Sequence, residues 1–242
     1  NIKNFDYSKL TNMAKMFYDC ISLVTLDIAN LQTSKVNRMD SLFEKCTKLE
    51  RLDLTKWETS EVTTFNSMFS WCSSLKSLKL SNFDTNKAES MYNMFSDCQS
   101  LESVDVSSFN INKVSSLQGM FQNCVSLTSL DLTNFRGNDN VNSIDSRFKD
   151  CHKLTSLDLS NFSQNPMYMT RAFYNCYSLE YLKIPLLKAD KPLYPSSLFE
   201  KCYSLKSLDL SNFTMLKAAN LVSMFKNCYA LTSVDLSNFD TL

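Results

Sequence analysis

Nine cysteines stand at positions 20, 46, 72, 98, 124, 151, 176, 202 and 228. Cysteine can bridge to a second cysteine, ligate a metal, or attack as a thiolate. Each of these chemistries needs particular neighbours. Metal spacing such as C-x-x-C does not occur. The single histidine, His152, directly follows Cys151, and adjacent side chains point apart, so a Cys–His dyad is not expected. The intervals say more, running 26, 26, 26, 26, 27, 25, 26 and 26. A period that regular means one supersecondary unit copied in tandem. Equivalent residues of stacked units would lie about 4.8 Å apart. That distance permits a disulfide, but the parallel Cβ directions of stacked equivalents oppose one. The expectation is a ladder of buried free thiols behaving as small hydrophobes.

Charged residues recur at the same period. One position per unit reads Asp27, Asp53, Lys79, Asp105, Asp131, Asp158, Lys183, Asp209 and Asp235. Neighbouring aspartates at this spacing repel by roughly 0.9 kcal/mol in water, which an exposed face tolerates. The lysines relieve part of it. A plain structural role would have each carboxylate accept hydrogen bonds from flanking hydroxyls such as Ser103, Ser129 and Ser156. A functional role would be a binding surface for a basic partner, or for Ca²⁺, an oxygen-seeking ion. Tyr181 stands two residues before Lys183 on the same expected face and joins the candidate binding residues. No paired-carboxylate or nucleophile arrangement stands out beyond what the repeat generates. No catalytic residue, metal site or cofactor is expected, and two glycines in the chain leave no room for glycine-rich phosphate loops.

The elements that would position these residues follow from one unit, 75–100, LKSLKLSNFDTNKAESMYNMFSDCQS. Leu75, Leu78 and Leu80 fit the L-x-x-L-x-L frame of a leucine-rich repeat. Across Leu78–Leu80 the alternation is strand-like, with Lys79 outward. Phe83 follows, with counterparts Leu31, Trp57, Phe109, Phe135, Phe162, Leu187, Phe213 and Phe239. These should stack inside the bend. Asn82 and its equivalents Asn30, Asn134, Asn161, Asn212 and Asn238 should hold the corner. In the second half, Val36, Met39, Phe43 and Cys46 fall at i, i+3, i+7 and i+10, which predicts a short helix. Thr33, Ser34, Thr59 and Ser60 sit where its N-cap belongs. The fold expected is an α/β solenoid of about nine coils, with one parallel β-sheet on one face and short helices on the other. Phe69, Phe95 and Phe121 should stand one above the next.

Bulk properties exclude several function classes. Lys and Arg number 25 against 25 Asp and Glu. This gives no electrostatic footprint for nucleic acid or an anionic membrane. No apolar run approaches the roughly 18–20 residues of a membrane span, so no direct membrane insertion is expected of this segment. Hydrophobic residues make up 44%, enough to fill a continuous core. Both ends fall inside the repeating phrase, at IKNFD and SNFDTL, without the polar cap a terminal coil needs. Residues 1–242 are therefore expected to be a single solenoid belonging to a longer array, with open ends that permit end-to-end self-association.

The phrase MF-x-x-C-x-S-L-x-S-L-D-L-S-N-F-D-T, with its V-x-x-M-x-x-M-F segment, resembles the 26-residue repeat of bacterial surface proteins, the BspA-like leucine-rich repeats. The resemblance covers essentially the whole chain. It implies a cell-surface or secreted protein that adheres to a protein or glycan ligand, and it brings no catalytic residues. Two readings remain beside adhesion: a structural spacer, and an intracellular interaction scaffold.

The pattern departs from that family at 163–202. Gly137 marks a one-residue insertion, Pro166 a one-residue deletion, and Pro185, Pro192 and Pro195 cluster in the next coil. The prolines predict a mostly non-helical 187–197. Tyr168, Tyr174 and Tyr177 lie close to Tyr181 and Lys183 in sequence, and the irregularity reads either as a contact site or as tolerated drift in one repeat.

Overall fold

A computed structural model describes residues 7–135, 141–162, 167–184, 187–188, 193–211, 213–214 and 220–237. The apolar columns do stack. The rings of Phe17, Phe43, Phe69, Phe95, Phe121, Phe148, Phe173, Phe199 and Phe225 form one unbroken pile with centroid separations of 5.3–5.8 Å. Phe69, Phe95 and Phe121 lie nearly parallel, at 4° and 7°. A second pile runs Phe83, Phe109, Phe135, Phe162 at 5.9–6.5 Å. Each such pair adds about 0.5–1.5 kcal/mol beyond its area burial. Stacking equivalents in register is what makes the chain a solenoid.

The strands are three-residue segments at the predicted position: β1 (Ser77–Lys79), β2 (Ser103–Asp105), β3 (Ser156–Asp158) and β4 (Tyr181–Lys183). They are followed by β5 (Leu187–Lys188), β6 (Ser207–Asp209), β7 (Phe213–Thr214) and β8 (Ser233–Asp235). Among the described residues all pairing is parallel, as a series of stacked coils requires. The expected single sheet is instead four two-stranded sheets, β1–β2, β3–β4, β5–β7 and β6–β8. Two or three residues give each strand few ladder bonds, and beside 129–131 the contact thins to a long bond, Thr128 N–H to Glu102 O at 3.5 Å. The one-residue deletion is absorbed away from the strand, because Ser156 pairs with Tyr181 at 25 residues where Ser77 pairs with Ser103 at 26.

The predicted helices are not there: the described residues contain none. In their place each coil makes a run of turns. Leu42, Glu44 and Cys46 donate to the carbonyls of Met39, Ser41 and Phe43, three residues back. The alternate donors Met39, Ser41, Phe43 and Lys45 reach the next coil, at Thr64, Asn66, Met68 and Ser70, over 2.8–3.2 Å. An α-helix would spend every N–H within its own segment. Here half of them weld coil to coil. Ser41 (φ 54) and Lys45 (φ 64) adopt left-handed backbone, four residues apart, and the pair recurs in every coil. That conformation ends any helical propagation. The apolar spacing that mimics a helix face is real, but Val36, Met39, Leu42, Phe43 and Cys46 are all buried by a turn ribbon.

Two of the anticipated N-caps, Thr33 and Thr59, serve the same welding. Thr33 Oγ1 donates to Glu58 O (2.9 Å) and accepts from Glu58 N–H (2.8 Å). Thr59 Oγ1 donates to Asp84 O at 2.9 Å. The asparagine corner also bridges coils: Asn82 Nδ2 donates to the carbonyls of Leu54 and Trp57, at 3.0 and 2.8 Å. Opposite the strands, single parallel bridges link Asn12, Arg38, Thr64, Ser90, Ser116, Ser143, Tyr168 and Tyr194 in turn. Leu187 and Lys188 are extended and 193–197 is not helical. Proline does not set this coil apart, because its neighbours have no helix either. Gly137, Pro166, Pro185, Pro192, Asn212, Asn238 and Phe239 lie outside the described residues.

Candidate binding face and thiol column

The strand face carries the predicted row. Leu78, Val104, Leu157, Leu182 and Leu208 point inward. Parity therefore turns Lys79, Asp105, Asp158, Lys183 and Asp209 outward. Asp27, Asp53, Asp131 and Asp235 continue the row, and all nine charged residues are exposed except Asp105, which is half-buried. Two shallow grooves lie between neighbouring coils, one of about 350 Å³ lined by Asp27, Arg51 and Asp53, the other of about 470 Å³ lined by Asp209, Ser211 and Asp235.

The carboxylates are not loose. Asp53 Oδ1 accepts from Thr55 N–H (3.0 Å) and from its hydroxyl (2.7 Å). Asp105 takes the same two bonds from Ser107 (3.1 and 2.6 Å), Asp158 from Ser160 (2.9 and 2.5 Å) and Asp209 from Ser211 (2.9 and 2.5 Å). Asp131 and Asp235 accept from the N–H of Thr133 and Ser237, each at 2.9 Å. These are Asx turns. The expected donors Ser103, Ser129 and Ser156 are replaced by the residue two places after each aspartate, and the sequence signal was the repeated D-L-S, D-L-T or D-V-S. The hydroxyl and amide bonds hold Asp53, Asp105, Asp158, Asp209 and Asp235 below the ordinary carboxylate value of 3.8. In these five, one oxygen is tied to the turn and the carboxylate stays ionised.

Tyr181, 62% exposed, and Lys183 stand together on β4. Lys183 Nζ pairs with Asp158 Oδ2 at 3.0 Å, and Lys206 lies 5.4 Å over the Tyr181 ring while pairing with Glu180. The other tyrosines grouped with them in sequence go elsewhere. Tyr168 stacks on Tyr194 (5.5 Å), and the Tyr174 hydroxyl accepts from Lys201 Nζ (2.9 Å). Tyr177 belongs to a ladder, His152–Tyr177–Tyr203–Tyr229, with separations of 4.3, 5.2 and 5.3 Å. The tyrosines therefore do not form one patch. The ladder was legible as an aromatic residue directly after four successive cysteines, and sequence reasoning missed it.

Every cysteine is a free thiol. Cys72 Sγ donates to Phe43 O at 3.2 Å, Cys124 to Phe95 O at 3.1 Å and Cys151 to Phe121 O at 3.2 Å. Cys151 therefore points inward while His152 lies on the surface, its Nε2 3.8 Å from Asp150 Oδ1. The described residues hold no group of three or more His, Cys, Asp or Glu able to bind a metal ion. No described helix is long and apolar enough to cross a membrane.

No curated protein matches the chain. Among solved structures, a Treponema pallidum leucine-rich repeat protein is 17% identical, with 70% of this chain and 72% of that one covered and a TM-score of 0.45. A leucine-rich cell surface protein from Faecalibacterium prausnitzii is 19% identical over 92% of this chain and 75% of that one, with a TM-score of 0.31. A leucine-rich repeat protein from Eubacterium ventriosum is 15% identical over 84% and 53%, with a TM-score of 0.43. The family described as Mycoplasma protein of unknown function, DUF285, matches residues 1–78 and 53–162. The BspA-type leucine-rich repeat region matches residues 117–242 in six copies. That span is more than half of the chain, and with its stacked coils and parallel strands the chain belongs to the BspA-type leucine-rich repeat family.

Proposed function

We propose that the chain is a surface-displayed recognition segment, not an enzyme, that binds a protein or glycan ligand through its strand face. The observation behind this reading is the row Asp105, Asp131, Asp158. Three carboxylates are held in Asx turns on consecutive coils, each with its orientation fixed before any ligand arrives. Ordering them beforehand removes an entropic cost from binding. Their sign favours a basic partner, steered in by charge and weakened by salt. Cell-surface display rests on family membership and is tested by antibody labelling of intact cells. Absence of label would favour the intracellular scaffold.

A second reading has its own support. The alternating inter-coil bonds from Met39 to Lys45 recur along the array and make it a stiff rod suited to a spacer. Asp105, Asp131 and Asp158 changed together to Asn separates the two. Asn keeps the turn acceptor and removes the charge. Recognition expects saturable binding of a fluorescent octalysine peptide by the native chain, lost in the triple variant with the melting temperature unchanged. If the native chain shows no saturable binding, or the variant binds equally well, the spacer reading stands.

A further inference from the structure

The face opposite the strands carries a spine of single residues, one per coil, joined by parallel bridges. It runs Asn12, Arg38, Thr64, Ser90, Ser116, Ser143, Tyr168 and Tyr194. From Thr64 to Ser143 its side chains are short hydroxyls. At Tyr168 the spine changes character. Tyr168 and Tyr194 stack at 5.5 Å with 17° between their planes. They belong to consecutive coils, so the rings stand across the spine and Tyr194 covers one face of Tyr168.

The other face of Tyr168 looks back along the spine at Ser143, its bridge partner. Serine has a single heavy atom beyond Cβ and cannot cover a ring. Tyr168 accordingly stays 41% exposed although one of its faces is stacked. Beside this open face the surface is polar. Ser116 and Ser143 lie on the spine, and Gln118, Asp145 and Thr170 stand two residues further along their coils. Ser143 Oγ accepts from Asp145 N–H at 3.2 Å, and Asp145 Oδ1 accepts from Thr170 N–H at 2.6 Å. These bonds fix a hydroxyl and a carboxylate next to the ring, and leave each of those oxygens a further lone pair.

These surroundings select the chemistry of a ligand. An open ring face packs on a flat apolar surface, while the groups beside it exchange hydrogen bonds. Positions 116, 118, 143, 145, 168 and 170 hold one carboxylate and no cation. A nucleotide is disfavoured, because its phosphate calls for a basic group. A wholly apolar partner would strand the hydroxyls and Asp145. A basic peptide finds one carboxylate here, where the strand face offers a row. A pyranose sugar meets both demands, with C–H bonds on its faces and hydroxyls around its rim. We propose that Tyr168, with Ser143 and Asp145, forms a glycan subsite on the back of the solenoid, separate from the strand face.

Saturation-transfer difference NMR with cellotetraose, mannotetraose and triacetylchitotriose tests this. At least one of these sugars receives magnetisation from the native chain, most strongly at its ring C–H protons. Tyr168→Ser carries the residue found at Ser116 and Ser143, so that chain is expected to fold, and it binds about tenfold more weakly. Tyr168→Phe keeps the ring face and binds as the native chain does. Ser143→Phe continues the stack over the open face and blocks binding with Tyr168 still in place. Changing Asp105, Asp131 and Asp158 together to Asn leaves binding intact, which separates this site from the strand face. The proposal is overturned if none of the three sugars responds, or if Tyr168→Ser or Ser143→Phe binds as well as the native chain. Loss of binding in Tyr168→Phe or in the strand-face variant overturns it too.

Discussion

The Sγ of Cys98 lies 3.1 Å from the carbonyl oxygen of Phe69, 29 residues earlier and one coil away. The same bond runs from Cys46 to Phe17, Cys176 to Phe148, Cys202 to Phe173 and Cys228 to Phe199, each at 3.1 Å. The thiol ladder is thus a hydrogen-bonded seam beside the phenylalanine pile. Its protons are needed for the bond, and burial keeps them in place.

That seam sets how stability depends on pH. Burial raises Cys46 and Cys228 from 9.0 to about 11, and raises Cys72, Cys98, Cys124, Cys151, Cys176 and Cys202 as well. Above pH 9 the unfolded chain ionises these thiols while the folded chain does not, so the folded state binds more protons and stability falls as pH rises. The contribution is complete below pH 9. Arg147 acts in the opposite sense, since its folded value of about 9 lies below 12.5, but it is one group against eight. Urea melts should give constant stability from pH 6 to 8 and a decline above 9, at up to about 1.4 kcal/mol per pH unit for each thiol. A profile flat to pH 10.5 would contradict a buried seam.

The Asx turns separate charge from structure on the strand face. Asp105→Asn should leave stability unchanged, because the amide oxygen still accepts from Ser107. Asp105→Ala loses those bonds and should cost about 0.5–1.5 kcal/mol. The carboxylates bound to Thr55, Ser107, Ser160, Ser211 and Ser237 sit below 3.8. Octalysine binding should therefore be equal at pH 7 and pH 5. Binding lost by pH 5 would assign it to a group other than these aspartates.

The coil, its length, its inward phenylalanines and its outward aspartates were legible because stacking repeats the same packing problem every 26 residues. Phe43 and Asp53 were found that way. The helices were misread for a specific reason. The spacing of Val36, Met39, Phe43 and Cys46 reports which residues face the core and is silent on where the backbone donors go. Whether Ser41 N–H turns back on its own segment or crosses to Asn66 is decided by the neighbouring coil, which a one-coil reading leaves out. The left-handed positions carry no single residue type: they are mostly Ser, Asn, Asp and Lys, with Trp71, Arg171 and Gly119 once each. Arg147, 1% exposed in an otherwise apolar column, escaped notice because one substitution in nine looks like drift until its burial is known.

Those left-handed positions can be improved by substitution. Ser67 sits at φ 53 and Gly119, its counterpart two coils on, at φ 62. A side chain there costs about 1–2 kcal/mol of backbone strain, partly offset by the extra freedom glycine gives the unfolded chain. Ser67→Gly should raise stability by about 0.5–1 kcal/mol. Gly119→Ala should lower it, since the added Cβ would lie 2.0 Å from Asn93 Oδ1. Adding Asn93→Ala should return the steric part of that loss. Equal stability of the Gly119→Ala chain with and without Asn93 would show that strain alone is responsible.

The phenylalanine pile should also govern cooperativity. Phe95 is fully buried between Phe69 and Phe121, at 5.6 and 5.3 Å. In a solenoid each coil touches only its neighbours, so the array is as cooperative as its weakest interface. Phe95→Ala should cost about 3–5 kcal/mol. All of it falls on the interfaces to two adjacent coils and none on the distant ones. Calorimetry of the native chain should give a single transition. The variant should split it, with coils on either side of position 95 melting separately. Phe95→Leu keeps most of the volume and should lower the melting temperature without splitting the transition. A Phe95→Ala chain that still melted in one step would show that the turn ribbon's inter-coil hydrogen bonds, more than the stacked rings, couple one coil to the next.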